Sequence, residues 1–284
     1  MKSILIIGKN SYIGKSFFHY ISKKSEYKIE MITVRDSVWQ KDYWGRFDTV
    51  INFTGIAHRR SFKVNEDEYY KVNNELAFEL AKKAKKDNVK HFIQLSTMSV
   101  FGNEDKFITK TTLEKPITVY GKSKLAADQA IKELKSDTFN ISIIRPPMVY
   151  GKNSPGNYKK LSKLAKTFPL FPKINNKKSM IYIENLCEFL FVCIKDNLYG
   201  TFYPQNSEYI CTSKMYKYIR KSNCKNTYFI KMDFLLSNLS KYVGLVDKIF
   251  GNLAYSKNMS NLELNYNIIE FEESIKLSES RKGK

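Results

Sequence analysis

Ser3-Ile4-Leu5-Ile6-Ile7-Gly8-Lys9-Asn10-Ser11-Tyr12-Ile13-Gly14 is the stretch whose reading decides the fold. A short unbroken apolar run closed by glycine reads as a strand buried on both faces. Gly8 to Gly14 reads as a turn, and Phe17, Phe18 and Ile21 begin a helix. Strand, glycine turn and helix in succession offer backbone N–H groups and a helix N-terminus to a diphosphate. An ordinary tight βα turn would use the same residues.

Moving outward, the same alternation recurs. Met31-Ile32-Thr33-Val34 reads as a second strand ending in Arg35-Asp36. At that place in a dinucleotide site, an acid accepts from the 2′-hydroxyl of NAD and an arginine accommodates the 2′-phosphate of NADP. Arg35 favours NADP, and Asp36 keeps NAD open. Thr49 to Thr54 is a third strand, followed by the small-residue loop Gly55-Ile56-Ala57. Tyr69 to Lys86 is helical, with Val72, Leu76, Leu80 and Ala84 in line; Asn73 near its start is either a surface residue or a buried polar anchor. His91 to Leu95 is a strand ending in Ser96-Thr97-Met98-Ser99-Val100-Phe101-Gly102, and Asn140 to Ile144 is another, ending in Arg145-Pro146-Pro147-Met148-Val149-Tyr150-Gly151. Hydroxyls at the carboxyl end of a parallel strand stand where doubly wound sheets bind ligands. The alternation over residues 1–150 predicts an α/β fold, a Rossmann-like doubly wound parallel sheet.

Beyond Gly151 the pattern changes. A loop (Asn153 to Asn157), a basic helix (Tyr158 to Lys166), a proline-punctuated stretch (Phe168 to Pro172), Met180 to Ile183 and a helix from about Glu184 to Lys195 follow. Residues 151–284 are expected to form a smaller α/β lobe, with about 180–200 packing back on the first domain. Alternating cationic and apolar residues suit a lobe closing over an anionic substrate, and suit a variable surface lobe equally.

The totals narrow the function classes. The four cysteines show no Cys-x-x-Cys spacing, and with only three histidines no metal site is expected. Reduced thiols in the cytoplasm are the natural expectation, and the opening residues are expected to form a strand rather than a signal peptide. Phe234 to Tyr255 is broken by Lys241, Asp247 and Lys248, too charged to span a bilayer. The net charge of +20 comes from lysines scattered along the sequence. That favours composition drift over nucleic-acid or membrane-surface binding, while still attracting a doubly anionic small molecule.

One further stretch carries chemistry: Val119-Tyr120-Gly121-Lys122-Ser123-Lys124-Leu125-Ala126-Ala127-Asp128-Gln129-Ala130-Ile131. Read as a helix, it stacks Tyr120 and Lys124 on one face, above an apolar stripe of Ala127, Ala130, Ile131 and Leu134. An ammonium beside a phenol favours the phenolate and eases proton transfer near neutral pH. A solvated helix face is the plain alternative for such a pair taken alone.

Taken together, the glycine turn, the Leu95 to Gly102 segment and Tyr120-x-x-x-Lys124 resemble the extended short-chain dehydrogenase/reductase superfamily, in its NAD-dependent epimerase/dehydratase group, over roughly residues 2 to 215. Gly55-Ile56-Ala57-His58, Arg145 to Gly151, Gly156-Asn157-Tyr158, Ser179 to Leu186 and Phe202 to Asn206 are similar to capsule- and O-antigen-type reductases of UDP-4-keto-6-deoxy-N-acetylhexosamines. The resemblance implies catalytic roles for Thr97, Tyr120 and Lys124. It implies dinucleotide contacts from Gly8, Asn10, Ser11, Tyr12, Ile13, Gly14, Arg35, Thr54, Gly55, Lys124 and Pro147. Substrate contacts are implied for Thr97, Tyr120, Met148, Asn157 and Lys178. It further implies a cytoplasmic NADP- or NAD-dependent enzyme without metal, and a homodimer sharing the helices that begin at Tyr120 and run from Asn73 to Lys86.

Several positions depart from the family pattern. Ser11 stands where glycine is usual, and keeps the turn only at negative φ. Met98-Ser99 replace the Asp-Glu pair of dehydratases, which argues against water removal. Met148 replaces an asparagine common in epimerases. Lys178 replaces an arginine, keeping the charge without the bidentate fork. The resemblance therefore leads to a sugar-nucleotide 4-ketoreductase, with a UDP-sugar 4-epimerase and a catalytically idle dinucleotide-binding module as alternatives.

Overall fold

The computed structural model describes residues 2–57, 65–102, 106–231, 251–260 and 264–280. His58 and most of the Phe234 to Tyr255 stretch lie outside these residues. The elements run β1 (Lys2–Ile7), α1 (Tyr12–Ile21), β2 (Tyr27–Ile32), α2 (Val38–Lys41), β3 (Thr49–Asn52) and α3 (Glu66–Tyr70). A π-helical turn (Lys71–Glu75) then leads into α4 (Leu76–Lys86). After β4 (His91–Leu95) come a 3₁₀ turn (Met98–Phe101), β5 (Phe107–Ile108), α5 (Val119–Lys132), β6 (Asn140–Ile144) and β7 (Met148–Tyr150). The remainder comprises α6 (Asn157–Thr167), β8 (Leu170–Pro172), β9 (Met180–Tyr182), α7 (Ile183–Lys195), β10 (Gly200–Phe202), α8 (Thr212–Ser222), β11 (Tyr228–Ile230), β12 (Ala254–Tyr255), α9 (Lys257–Ser260) and α10 (Phe271–Glu279).

Six strands form one parallel sheet in the order β10-β6-β4-β3-β1-β2. The apolar run of β1 shows why both faces must be covered. Ile4 and Ile6 join one core with Phe17 and Ile21 of α1 and Phe189 of α7, whereas Leu5 and Ile7 join the other with Leu80 and Ala84 of α4 and Ala127 and Ile131 of α5. Period-two alternation thus sends successive side chains into opposite layers. The chain reverses direction of winding between β1 and β3, and the carboxyl ends of those strands form the crevice where such sheets bind ligands. Smaller parallel pairs, β7·β9, β8·β11 and β5·β12, lie outside this sheet.

Among the element boundaries that differ from the sequence reading, three have a physical cause in the packing. β2 begins at Tyr27 and ends at Ile32, because its pairing with β1 runs Lys2↔Tyr27 to Ile7↔Ile32; Thr33 and Val34 lie past the partner strand's end. The helix expected from Tyr69 begins at Glu66, where the Asn65 side chain accepts from Asp67 N, and it is interrupted by the π turn. Leu134 lies beyond α5 and is only partly buried, so the stripe ends at Ile131.

His91 is a polar group inside the sheet, 5% exposed. Ser142 donates to the Leu198 carbonyl at 2.6 Å, so its oxygen accepts from His91 Nε2–H at 2.7 Å. Burial, with the Lys2 charge a smaller influence, lowers the imidazole pKa to about 4. The unfolded chain therefore binds the proton first, and stability falls as pH drops from about 6.5 towards 4. Chemical denaturation should show a loss on the order of 1–2 kcal/mol between pH 6.5 and pH 5, and His91→Asn should flatten that slope.

Candidate active site

The turn after β1 is built by close approach. A Cβ at Gly8, where φ is +118°, would lie 3.1 Å from the backbone of Phe53 at the end of β3, so only glycine fits. Ser11 has φ −70° and ψ 137°, and caps α1 by accepting from Gly14 N at 3.3 Å. The serine that departs from the family glycine therefore sits in ordinary extended backbone and contributes a helix cap. The first-turn N–H groups of Tyr12 and Ile13 have no intrahelical acceptor and face the crevice end of α1. Asn10, Arg35 and Asp36 are exposed. Asp36 accepts from Val38 N at 3.2 Å, which engages it at the start of α2.

Across the crevice, Lys124 is only 4% exposed. Its ammonium donates to the carbonyls of Leu95 (2.9 Å) and Thr54 (3.4 Å), at the ends of β4 and β3. Gly55 makes this possible: at φ +156°, a Cβ there would meet Asn73 Oδ1 at 3.1 Å and Lys124 Nζ at 3.3 Å. Asn73, 1% exposed, is the buried anchor. It accepts from Ile56 N (2.8 Å) and donates to Ile56 O (3.1 Å) and to Ser123 Oγ (3.0 Å). Ser123 in turn donates to Tyr120 O at 3.0 Å. The loop after β3 and the start of α5 are thus held by one amide, in the π turn of the preceding helix.

Thr118 caps α5 by accepting from Gly121 N, placing Tyr120 in the first turn. The Tyr120 hydroxyl is hydrogen-bonded to Thr97, the residue after Ser96 at the end of β4. Burial pushes Tyr120 up to about 12, opposed by that hydrogen bond, with Asp128 and Tyr69 raising it further. Burial also lowers Lys124 to about 8, opposed by the Asp128 charge. The expectation that Lys124 holds the phenol near neutrality is therefore not met. Desolvation is the largest influence on the phenol, and the ammonium donates to the two strand-end carbonyls.

Beneath these groups lies a support that sequence reasoning missed. Asp128 and Arg145 are both 0% exposed. Asp128 Oδ2 accepts from Ser96 Oγ at 2.7 Å and from Arg145 Nε at 2.9 Å, and Arg145 Nη1 pairs with Glu114 in the loop before α5. The signal was present: Asp128 follows Lys124 by four residues on the same helix face.

The remaining residues named from the sequence are dispersed. Pro147 is buried beside Pro146, whose carbonyl accepts from Met98 N at 3.0 Å. Met148 is partly exposed in β7, in register with Met180 of β9. Lys178 exchanges backbone hydrogen bonds with Ile210, and burial lowers its ammonium to about 8. Asn157 is the exposed first residue of α6. The structure brings together Thr54, Gly55, Thr97, Tyr120 and Lys124, with the glycine turn facing them across β3. Among the described residues no group of three His, Cys, Asp or Glu side chains could hold a metal ion, and no helix is long and apolar enough to cross a membrane.

A parallel sheet with a glycine turn at its switch point and a Thr-Tyr-Lys set at its carboxyl edge defines the extended short-chain dehydrogenase/reductase class. Residues 4–200 match the sequence model of the NAD dependent epimerase/dehydratase family, and the chain belongs to that family. It is 30% identical over 221 residues to a UDP-glucose 4-epimerase of Vibrio cholerae, covering 68% of this chain and 66% of the relative. It is 27% identical over 212 residues to an N-acetyl-alpha-D-glucosaminyl-diphospho-ditrans,octacis-undecaprenol 4-epimerase of Escherichia coli O157:H7, covering 68% of this chain and 63% of that protein. The chain thus spans somewhat under two thirds of the length of these curated relatives. Its fold is shared with a dTDP-4-dehydrorhamnose reductase of Clostridium acetobutylicum (TM-score 0.74, 20% identity, 97% of this chain and 98% of that one). It is also shared with a UDP-glucuronic acid 4-epimerase of Bacillus cereus solved with NAD (TM-score 0.74, 16% identity, 97% of each chain).

Replacing Asp128 by alanine leaves the Arg145 guanidinium buried without its innermost partner. Denaturant unfolding of Asp128→Ala should show a loss of about 3–5 kcal/mol, far more than an exposed ion-pair residue such as Glu273 would give when replaced.

Proposed function

We propose that this protein is an NAD(P)H-dependent reductase of the C4 ketone of a UDP-linked 4-keto-6-deoxy-N-acetylhexosamine, serving surface-polysaccharide precursor synthesis. The observation that carries this reading is the Thr97–Tyr120 hydrogen bond beside buried Lys124, at the carboxyl edge of the parallel sheet. Residues 1–150 would hold the dinucleotide and residues 151–284 mainly the sugar nucleotide. The cradle fits a dinucleotide: Gly8 lets the turn after β1 close against Phe53 at the switch point, and the first turn of α1 offers N–H groups to a diphosphate. Arg35 favours NADP, and Lys178 offers a cation for the substrate diphosphate.

When bound, the dinucleotide supplies the hydride that reduces C4. Tyr120 holds the proton at its hydroxyl throughout the neutral range and gives it to the alkoxide oxygen. A phenol at about 12 is still acid enough for that transfer, because an alkoxide is the stronger base. Thr97 donates to the same oxygen as charge builds there, an interaction strengthened in the transition state. Lys124 stabilises the phenolate left behind and orients the ribose of the cofactor. Its anchoring to Leu95 and Thr54 keeps the charge in place.

A 4-epimerase using the same three residues is the second reading. It is favoured by the two curated relatives, both 4-epimerases by name. Oxidation and re-reduction would then occur on one substrate with retained NAD. A homodimer formed through α4 and α5 is part of the proposal, checked by light scattering at micromolar concentration.

The test is absorbance at 340 nm with UDP-4-keto-6-deoxy-N-acetylglucosamine and NADPH or NADH. Stoichiometric loss is expected, faster with NADPH. Interconversion of UDP-hexoses without added cofactor would establish the epimerase instead. Tyr120→Phe should lower kcat by about 10²–10⁴ with cofactor affinity retained, and near-normal turnover would remove Tyr120 from its role. The basic limb of kcat/KM should fall near pH 8, where Lys124 loses its proton; an unmoved limb in Lys124→Arg would assign it to another group.

A further inference from the structure

The second half of the chain folds its basic residues together. Residues 152–178 contain eight lysines and no Asp or Glu, and residues 209–231 contain six basic residues and again no carboxylate. Structure joins the two segments, because β8 pairs with β11 in the register Leu170↔Tyr228 to Pro172↔Ile230. Large apolar side chains crowd the edge so formed. Phe168 is 55% exposed, Leu170 56% and Tyr228 60%, with Leu164 and Phe229 also outside the core. Few other places among the described residues leave this much aromatic and aliphatic surface in water.

The edge is built rather than frayed. The Phe168 carbonyl accepts from Tyr216 Oη at 2.6 Å and from Arg220 Nη1 at 2.8 Å. Arg220, 5% exposed, also donates to the Ala165 carbonyl at 2.6 Å and to that of Asn226. One buried guanidinium therefore fixes the end of α6, the start of β8 and the approach to β11. Phe171, stacked on Tyr216 with ring centroids 4.0 Å apart, anchors the strand from the inner face. Leu170 and Tyr228, register partners on the opposite face, are held out into solvent. Around them Lys160, Lys163, Lys173 and Lys231 are exposed and have no carboxylate partner among the described residues. Lys166 and Lys221 are paired with Glu279 and Glu272 of α10.

We propose that this edge, formed by the end of α6 with β8 and β11, is a docking surface for an anionic membrane. Aromatic and aliphatic side chains partition into the headgroup boundary. A rim of lysines without carboxylates gains on the order of 1 kcal/mol per charge near an anionic leaflet. Neither part alone gives stable attachment, and the two together are what an interfacial anchor requires. A nucleic acid would use the lysines but leave Leu170, Phe168 and Leu164 without a role. The surface would hold the protein reversibly at a bilayer, with no segment crossing it.

Co-sedimentation of the full chain with vesicles tests this without any substrate, and so stands apart from the catalytic reading. The wild-type protein should pellet with phosphatidylcholine–phosphatidylglycerol vesicles at low salt and stay in solution with phosphatidylcholine alone. The triple variant Phe168→Ser, Leu170→Ser, Tyr228→Ser keeps every charge and removes only exposed side chains. It should bind at least about tenfold more weakly, with an unchanged thermal midpoint. Should the triple variant unfold, Lys163→Glu with Lys173→Glu gives the same loss from the charged rim. Equal binding by a folded variant of either kind overturns the proposal. So does a wild-type protein that ignores both vesicle types, whether it forms a dimer lost in the triple variant, which assigns the edge to a second copy of the chain, or binds DNA instead.

Discussion

The buried pair between Asp128 and Arg145 is the constraint on which the rest of the site depends. Neither residue touches solvent, and an unpaired charge there would cost several kcal/mol. The chain must therefore bring three segments to one point. Asp128 belongs to α5, Arg145 follows β6, and Ser96, which donates to Asp128, follows β4. Thr97 is the next residue after Ser96, and Lys124 and Tyr120 stand one and two turns before Asp128. The electrostatic need to satisfy two ions thus fixes the relative position of the groups that would act on a substrate. Glu114 extends the same network into the loop before α5, and Tyr255 Oη closes it by donating to the Arg145 carbonyl at 3.0 Å.

A second constraint is the lack of room above the sheet. Gly8 lies against the end of β3 and Gly55 against Asn73 and Lys124. Both allow backbone and functional groups to approach within contact distance, which side chains would prevent. Ser11 shows the converse. The position is glycine in the usual family pattern, yet its backbone here is extended and needs no glycine, and its hydroxyl satisfies an N–H that the helix cannot. A departure in sequence is absorbed by local geometry without a change of fold.

Burial has opposite consequences for the two members of the Tyr-Lys pair. It disfavours the phenolate of Tyr120 and the ammonium of Lys124 alike, so each is pushed towards its neutral form. The Asp128 charge raises both, so it adds to the shift of Tyr120 and opposes that of Lys124. Tyr120 enters any reaction as an acid, and the ammonium acts on the phenolate only once the proton has left.

Much of this was legible in the residues. The apolar run of β1, the glycine turn and the alternation of strands and helices set the layer architecture, since a strand without a polar face must be covered on both sides. The four-residue spacing put Tyr120 and Lys124 on one face of α5. Other features were decided only by tertiary structure. Strand ends depended on register, as with β2 and its partner β1. Asn73 became an anchor because the loop after β3 folds onto it, a contact between residues 17 apart in sequence. The protonation of Tyr120 follows from burial, which no spacing reveals. The lysines that look scattered along the sequence are gathered by the pairing of β8 with β11, because proximity in the fold, and not in the chain, determines which charges share a surface.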